Sequence, residues 1–354
     1  MERLIAITVA AALTACATAD VLLVGGHFTV AGGLPARYIA QWDGEAWWPV
    51  GNGFDWEVYG LAMFQGAVHA TGNFSGHVAR WDGGGWVTVG QGLNGPGLVL
   101  QEFQGMLYVG GAFTSADNVP VRNLARWNGT AWTSVADMDF NNSVLTMVVF
   151  ENTLIVGGTF YGQPFDGVAR WDGQAWSSVG VGIGGGGVYA LYVYRGMLTA
   201  GGGFRFSGNE SVVMNKTASW NGTDWLPMGQ GIVGGSARVV SFIEDTDGGL
   251  IAGGQFEWAD GLRAMNLARW DSTSWSPLLA GGTDREVERM VYFRDSLVLV
   301  GWFTLAGNTS VSHITELRED GPDQPWLNVG GGVTGGYNEI LRRAQAILIV
   351  DSLL

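Results

Sequence analysis

Four aspartates, Asp43, Asp82, Asp172 and Asp271, each follow a tryptophan and precede Gly or Ser. Carboxylates that converged in space could hold a metal ion or act as an acid and base pair. Each of these, however, occupies the same place in a recurring hairpin turn, so the set is spread over separate units and turn chemistry accounts for it. Four G-x-G-x-x-G strings, at Gly90-Gly92-Gly95, Gly180-Gly182-Gly185, Gly229-Gly231-Gly234 and Gly330-Gly332-Gly335, invite a dinucleotide reading. That fingerprint must leave a strand and open a helix, whereas every copy here lies between two strands, which makes them inter-unit loops. The segment Glu244–Gly249, EDTDGG, starts like a calcium loop but lacks the later oxygen ligands, and reads as an enlarged hairpin turn. His27, His69, His77 and His313 have no metal-ligand spacing. The chain contains no H-E-x-x-H, no G-x-S-x-G and no cysteine inside its repeats to serve as a nucleophile. No catalytic residue, metal or cofactor is assigned, and the chain reads as a binding protein rather than an enzyme.

These residues are positioned by a repeat that covers almost the whole chain. Paired tryptophans recur as WDGEAW from Trp42, WDGGGW from Trp81, WNGTAW from Trp127, WDGQAW from Trp171, WNGTDW from Trp220 and WDSTSW from Trp270. A worn seventh copy has Leu317 in the first place and Trp326 in the second. A glycine-pair marker precedes each and ends on Phe28, Phe74, Phe113, Phe160, Phe204, Phe256 or Phe303, spaced by 39 to 52 residues. Within a unit, short apolar runs such as Val188 to Phe204 read as two strands around a tight turn, and the tryptophan motif as a second hairpin. Asp-Gly and Asn-Gly favour the positive φ angles of a type I′ hairpin turn. No segment has the period of an amphipathic helix. The fold class expected is all-β: a seven-bladed β-propeller of four-stranded antiparallel blades, in which neighbours bury apolar faces that one blade cannot bury alone.

The glycine pair and the tryptophan hairpin resemble kelch repeats. The fuller string GG-x-F-T followed by ARWDG-x-x-W-x-x-x-G is similar to the repeats of fungal cortical cell-polarity markers and of uncharacterised bacterial surface proteins. The resemblance runs from about Val21 to Leu354 and implies the propeller fold. It departs from kelch in the five-residue spacing of the aromatics, and most in the seventh unit between Glu319 and Pro325. Galactose oxidase, a kelch-type enzyme, uses a cysteine-modified tyrosine beside copper, which these repeats cannot supply.

The first 19 residues contain an apolar run from Leu4 to Ala15, too short to span a bilayer and suited to a signal-peptide core. Leu13-Thr14-Ala15-Cys16 resembles a lipobox, with the single cysteine of the chain at the lipidation position. Ala17-Thr18-Ala19 before Asp20 is a competing site for simple secretion, and an uncleaved apolar strand is a third reading. The domain division is therefore a signal over 1–19 and one propeller over 20–354. A net charge of −14 disfavours nucleic acid and anionic membrane surfaces as partners, leaving the membrane approachable only through a lipid at Cys16.

The loops joining the second strand to the third, and one unit to the next, vary most and share one face of a propeller, where binding concentrates. Candidate ligand contacts there are Asp55, Trp56, Asp139, Phe140, Arg205, Trp258, Asp260, Asp284 and Arg285, because aromatic rings beside carboxylates suit sugar or peptide recognition. The expected function is an exported, surface-attached, non-catalytic binding or scaffold propeller, monomeric, recognising a glycan or protein ligand. Alternatives are a glycan-active enzyme, a glycosidase or lyase with carboxylates on the loop face, and a structural spacer of a longer surface protein. Residues 344–350 align with the first strand of a unit and 21–26 with the second, so the two ends are expected to complete one blade and close the ring; Thr8–Ala17 is the alternative occupant of that innermost place. Mass spectrometry of the mature N-terminus should find Cys16 carrying lipid; an unmodified chain beginning at Asp20 would remove the anchor and keep secretion.

Overall fold

The computed structural model describes residues 20–136, 138, 140–162, 164–278, 280–318, 326–335 and 343–350, the backbone alone at 343 and 344. Cys16 and Asp139 lie outside the described residues, as does Thr8–Ala17. Among the described residues there is no helix, and seven four-stranded antiparallel sheets carry the chain. The second, for example, runs in the order Val58–Phe64, Ala67–Gly72, Val78–Trp81 and Trp86–Thr88. The first sheet takes its first strand from the other end of the sequence: Arg343–Val350 pairs antiparallel with Val21–His27, Val21 opposite Val350 and Gly25 opposite Ala346.

Each hairpin of the tryptophan motif places the two indoles directly opposite one another, as in Trp171 with Trp176 and Trp220 with Trp225. Their ring centroids lie 5.1 and 5.5 Å apart. Such close, tilted rings add to the stabilisation that their area alone provides. The turn between them is not the two-residue type I′ loop that Asp-Gly suggests. Four residues separate the paired tryptophans, and in the first sheet only Gly44 takes a positive φ, 99°. Asp43 acts instead as an acceptor, its Oδ1 receiving the amides of Glu45 and Ala46 at 2.8 Å. Asp82, Asp172 and Asp271 repeat this, and so do Asn128 and Asn221. Bonds from the side chain and backbone of Thr273 and from Ser274 hold the fully exposed Asp271 carboxyl down at about 2.

The second indole of every hairpin also reaches the preceding sheet. Trp132 donates to the carbonyl of Val89 at 3.1 Å, Trp176 to Val135 at 3.1 Å, Trp225 to Val179 at 3.0 Å and Trp275 to Met228 at 3.0 Å. Trp86 donates to Val50 at 3.4 Å and Trp326 to Ala280 at 3.0 Å. Trp47, in the first sheet, donates to Val329 beside the last at 3.0 Å. The Val89 carbonyl accepts a second bond from Gly92, the middle glycine of the G-x-G-x-x-G string, at 3.1 Å. Those strings are thus tight turns between sheets, as expected.

The glycine pair has two different spatial duties. A Cβ on Gly201 would stand 2.7 Å from Cγ1 of Val239 in the next sheet, so the first glycine lets two sheets approach. One on Gly202 would stand 2.1 Å from the carbonyl oxygen of Gly187 in its own sheet, at the bulge where the register shifts between Val188 and Ala190. Among the described residues the core is correspondingly divided into seven clusters, each drawn from two adjacent sheets, one of them joining Phe293, Val298 and Val300 to Leu22, Val24 and Trp47. All seven marker phenylalanines are buried.

Replacing Trp225, which is 1% exposed, with Phe should lower stability by about 2–4 kcal/mol, from the lost indole volume and from the donor withdrawn from Val179. Gly201→Ala should cost about 1–3 kcal/mol through overpacking against Val239. Urea midpoints measure both, and a Gly201→Ala protein as stable as the parent would show that the interface yields.

Candidate functional site

The loop face is held together by a repeated strut. Asp55 receives the amide of Ser75 at 2.9 Å and its hydroxyl as well. At the same place in the next unit, Asn94 Oδ1 receives the amides of Thr114 and Ser115 at 2.8 and 2.9 Å. Asn141 receives Tyr161 at 3.2 Å, and Asp284 takes both the amide and hydroxyl of Thr304 at 2.8 Å and the amide of Leu305. In each case a side chain three residues before the first strand fixes the loop that follows the marker phenylalanine. Bonds from Ser75 hold the Asp55 carboxyl below its usual value. Partial burial pulls the Asp284 carboxyl upward, but the donors of Leu305 and Thr304 outweigh it and the net shift is downward.

The strut is missing at the fifth sheet, where the acceptor place is Gly185, and at the sixth, Arg238–Glu244 with Leu250–Gln255, Leu267–Trp270 and Trp275–Pro277. In the sixth sheet the register shift falls at Val239, one residue into the strand, so the acceptor place three residues before it is Ser236, and the place of Ser75 or Thr304 is Glu257. The side chains of Ser236 and Glu257 are exposed and bond to no described residue. A cleft of about 750 Å³ opens there, between this sheet and the seventh, Val287–Phe293 with Ser296–Gly301, Ile314–Arg318 and Trp326–Asn328. Arg238 and Glu286 face each other across it, Nε to Oε1 at 2.6 Å and Nη2 to Oε2 at 2.5 Å. The bond to Glu286 pushes the Arg238 guanidinium up, against the pull of burial. Trp302 also lines the cleft, its indole nitrogen donating to Glu288 at 2.7 Å. Arg263 and Arg285 stand at its rim as exposed guanidinium groups without a described partner. Such planar forks can engage a carboxylate or a pair of hydroxyls in two parallel bonds.

Of the residues singled out in the sequence, Asp284 and Arg285 line this cleft together. Trp258 stands beside it, 41% exposed on the ribbon that leads into it. Asp260 lies on the same ribbon but is committed internally, receiving the amides of Gln230 and Trp275, each at 2.7 Å. Trp56 belongs to the junction of the first two sheets, edge-on to the buried His27 at 5.6 Å, where His27 Nδ1 meets Glu57 at 2.7 Å. Phe140 is a core residue, 2% exposed, with its ring 4.5 Å from that of Phe160. Arg205 is exposed above the ring of Phe206 in the fifth sheet's loop. Arg238, Arg263, Glu257 and Trp302 were not visible as site residues in the sequence. The signal that finds them is the break in a fixed offset: Asp55, Asn94, Asn141 and Asp284 all stand 20 residues before their loop partner, while Gly185 fills that place before Arg205 and Ser236 stands 21 before Glu257. Among the described residues, no group of His, Cys, Asp and Glu could hold a metal ion.

No family model matches the chain, and no curated protein matches it. Among solved structures, the chain is similar to the WD40 β-propeller domain of Doa1, at a TM-score of 0.46 and 12% identity, covering 78% of this chain and 91% of that one.

The strut yields a pH prediction. The Asp284 carboxyl is depressed below 3.8 in the folded protein, so its contribution is fully present above the unfolded value and is lost as pH falls through the folded one. Asp284→Ala should destabilise by about 0.5–1.5 kcal/mol at neutral pH, the low range reflecting its exposure. In urea titrations from pH 7 downward, the gap from wild type should hold to about pH 4 and then narrow; a gap that stays constant into strong acid would show that the carboxylate's charge does not support the loop.

Proposed function

We propose that residues 20–354 form a single seven-bladed β-propeller, related to kelch-like repeat proteins, that acts as an exported, surface-attached, non-catalytic binding scaffold. Its ligand, a glycan or a protein, docks on the loop face in the cleft between the sixth and seventh sheets. The ring reading is supported by the ladder between Arg343–Val350 and Val21–His27 and by the Trp47 bond to Val329, which together give the first sheet the same neighbour contacts as the others. The outer edges support a monomer: outermost strands are two or three residues long, and those of the first, fifth and sixth sheets end on Pro49, Pro227 and Pro277. Export and lipid attachment rest on the Leu13-Thr14-Ala15-Cys16 sequence.

The observation that carries the binding reading is the absent strut. Four loops spend their polar side chains on fixing themselves, whereas the loop of the sixth sheet leaves Glu257 free beside Arg263 and Arg285 in a concave setting. The glycan-active enzyme is the weaker reading for this cleft, since a general acid needs a carboxyl held protonated, whereas Asp284 is shifted downward and Glu286 is bound to Arg238. Probing a combined glycan and peptide array with the chain and with an Arg263→Glu/Arg285→Glu variant tests the proposal. Signal retained by the wild type and lost in the variant is expected; equal signal from both would move the site elsewhere, and silence from both would favour a structural spacer.

A further inference from the structure

The ribbon beside the cleft consists of Ile232–Val233, Trp258–Ala259 and Leu262–Arg263, paired in that order. Val233 is opposite Trp258, and Trp258 is opposite Arg263. Cross-strand partners point to the same side of a ribbon, so these three form one row. All three are exposed, whereas on the opposite side Ile232 and Ala259 are fully buried and only the outermost, Leu262, is exposed at the ribbon's edge. Arg263, one end of the row, lines the cleft, and its cross-strand partner Trp258 stands exposed just outside that lining. An indole face with a guanidinium beside it, a carboxylate next in sequence at Glu257 and a second guanidinium across the cleft at Arg285 matches a pyranose ring: apolar on its C–H face, rimmed by hydroxyls that donate to a carboxylate and accept from an arginine.

The charge balance selects among ligand classes. Although the chain carries −14 overall, Arg238, Arg263 and Arg285 in the cleft are matched by Glu257, Asp284 and Glu286. An acidic ligand would meet no net positive field there, with an acidic protein around it. A peptide added as a strand needs an extended free edge, and the outer ribbon strand Leu262–Arg263 is two residues long. We infer that the cleft binds a neutral oligosaccharide, one sugar ring stacking on Trp258 while Glu257, Arg263 and Arg285 hold its hydroxyls; this rests on the cleft being the ligand site.

Calorimetric titration of the full chain with cellohexaose, xylohexaose, laminarihexaose, mannohexaose and chitohexaose tests it, with polygalacturonate and a glutamate-rich peptide alongside. Binding of at least one neutral hexaose is expected, weakened about tenfold in Trp258→Ala, partly restored in Trp258→Phe, and little changed between about 0.05 and about 0.5 M salt. The variants should melt with the wild type, because Trp258 is exposed. Hexaose binding unaffected by Trp258→Ala would overturn the platform. Binding confined to polygalacturonate or the peptide, falling with salt and lost in Arg263→Glu/Arg285→Glu, would overturn the neutral-sugar inference and leave the cleft as the ligand site. No binding of any probe would overturn the inference, and the array then decides separately whether the cleft binds anything.

Discussion

One bond type recurs at every junction between consecutive sheets: the indole N–H of the second tryptophan, donated to a carbonyl at the end of the sheet before it. That carbonyl lies past the last strand, where the sheet has no further partner to offer, and at Val50, Val89, Val179 and Val329 a glycine amide of the connecting turn fills its other lone pair. No other side chain supplies so large an apolar body with a lone donor at its edge. Phenylalanine would fill much of the volume and leave the carbonyl without its second partner. The requirement explains why tryptophan persists at the second position even in the seventh unit, where Leu317 has replaced the first. The first tryptophan contributes packing, which leucine can imitate; the second contributes packing and a bond.

The glycine pair completes this arrangement from the inner side. The two positions adopt ordinary extended backbone, and their smallness is what matters. One glycine removes a methyl that would strike a valine of the neighbouring sheet, and the other removes one that would strike a carbonyl within its own. Sheets brought together in this way share one apolar cluster per interface, in place of a single central core.

Strand content, repeat boundaries and the hairpin of the tryptophan motif were legible in the sequence because they follow from hydrophobic period and spacing, which are local. The turn was misread for a physical reason: Asp-Gly is compatible with a two-residue loop, but Asp43 and its equivalents accept two amides from a four-residue one, a choice the dipeptide alone does not reveal. The loop face was legible only as a face. Asp55, Asp260 and Asp284 attract attention as exposed-looking acids, yet each is tied to backbone amides 15 to 30 residues away, contacts that depend on which loops the sheets bring side by side. Arg263 and Glu257 carry no motif of their own, and they stand out only against the struts of the other units.

The gap at Ser236 separates two demands that the strutted loops combine. A change at Asp55 or Asp284 disturbs folding whatever it does to recognition, so those positions are constrained twice over. Ser236, Glu257, Arg263 and Arg285 hold no bond that the sheets rely on. Their identities can drift at nearly constant stability, which makes this corner of the molecule evolvable: its surface chemistry can be rewritten one substitution at a time while the tryptophans and glycines keep the scaffold unchanged.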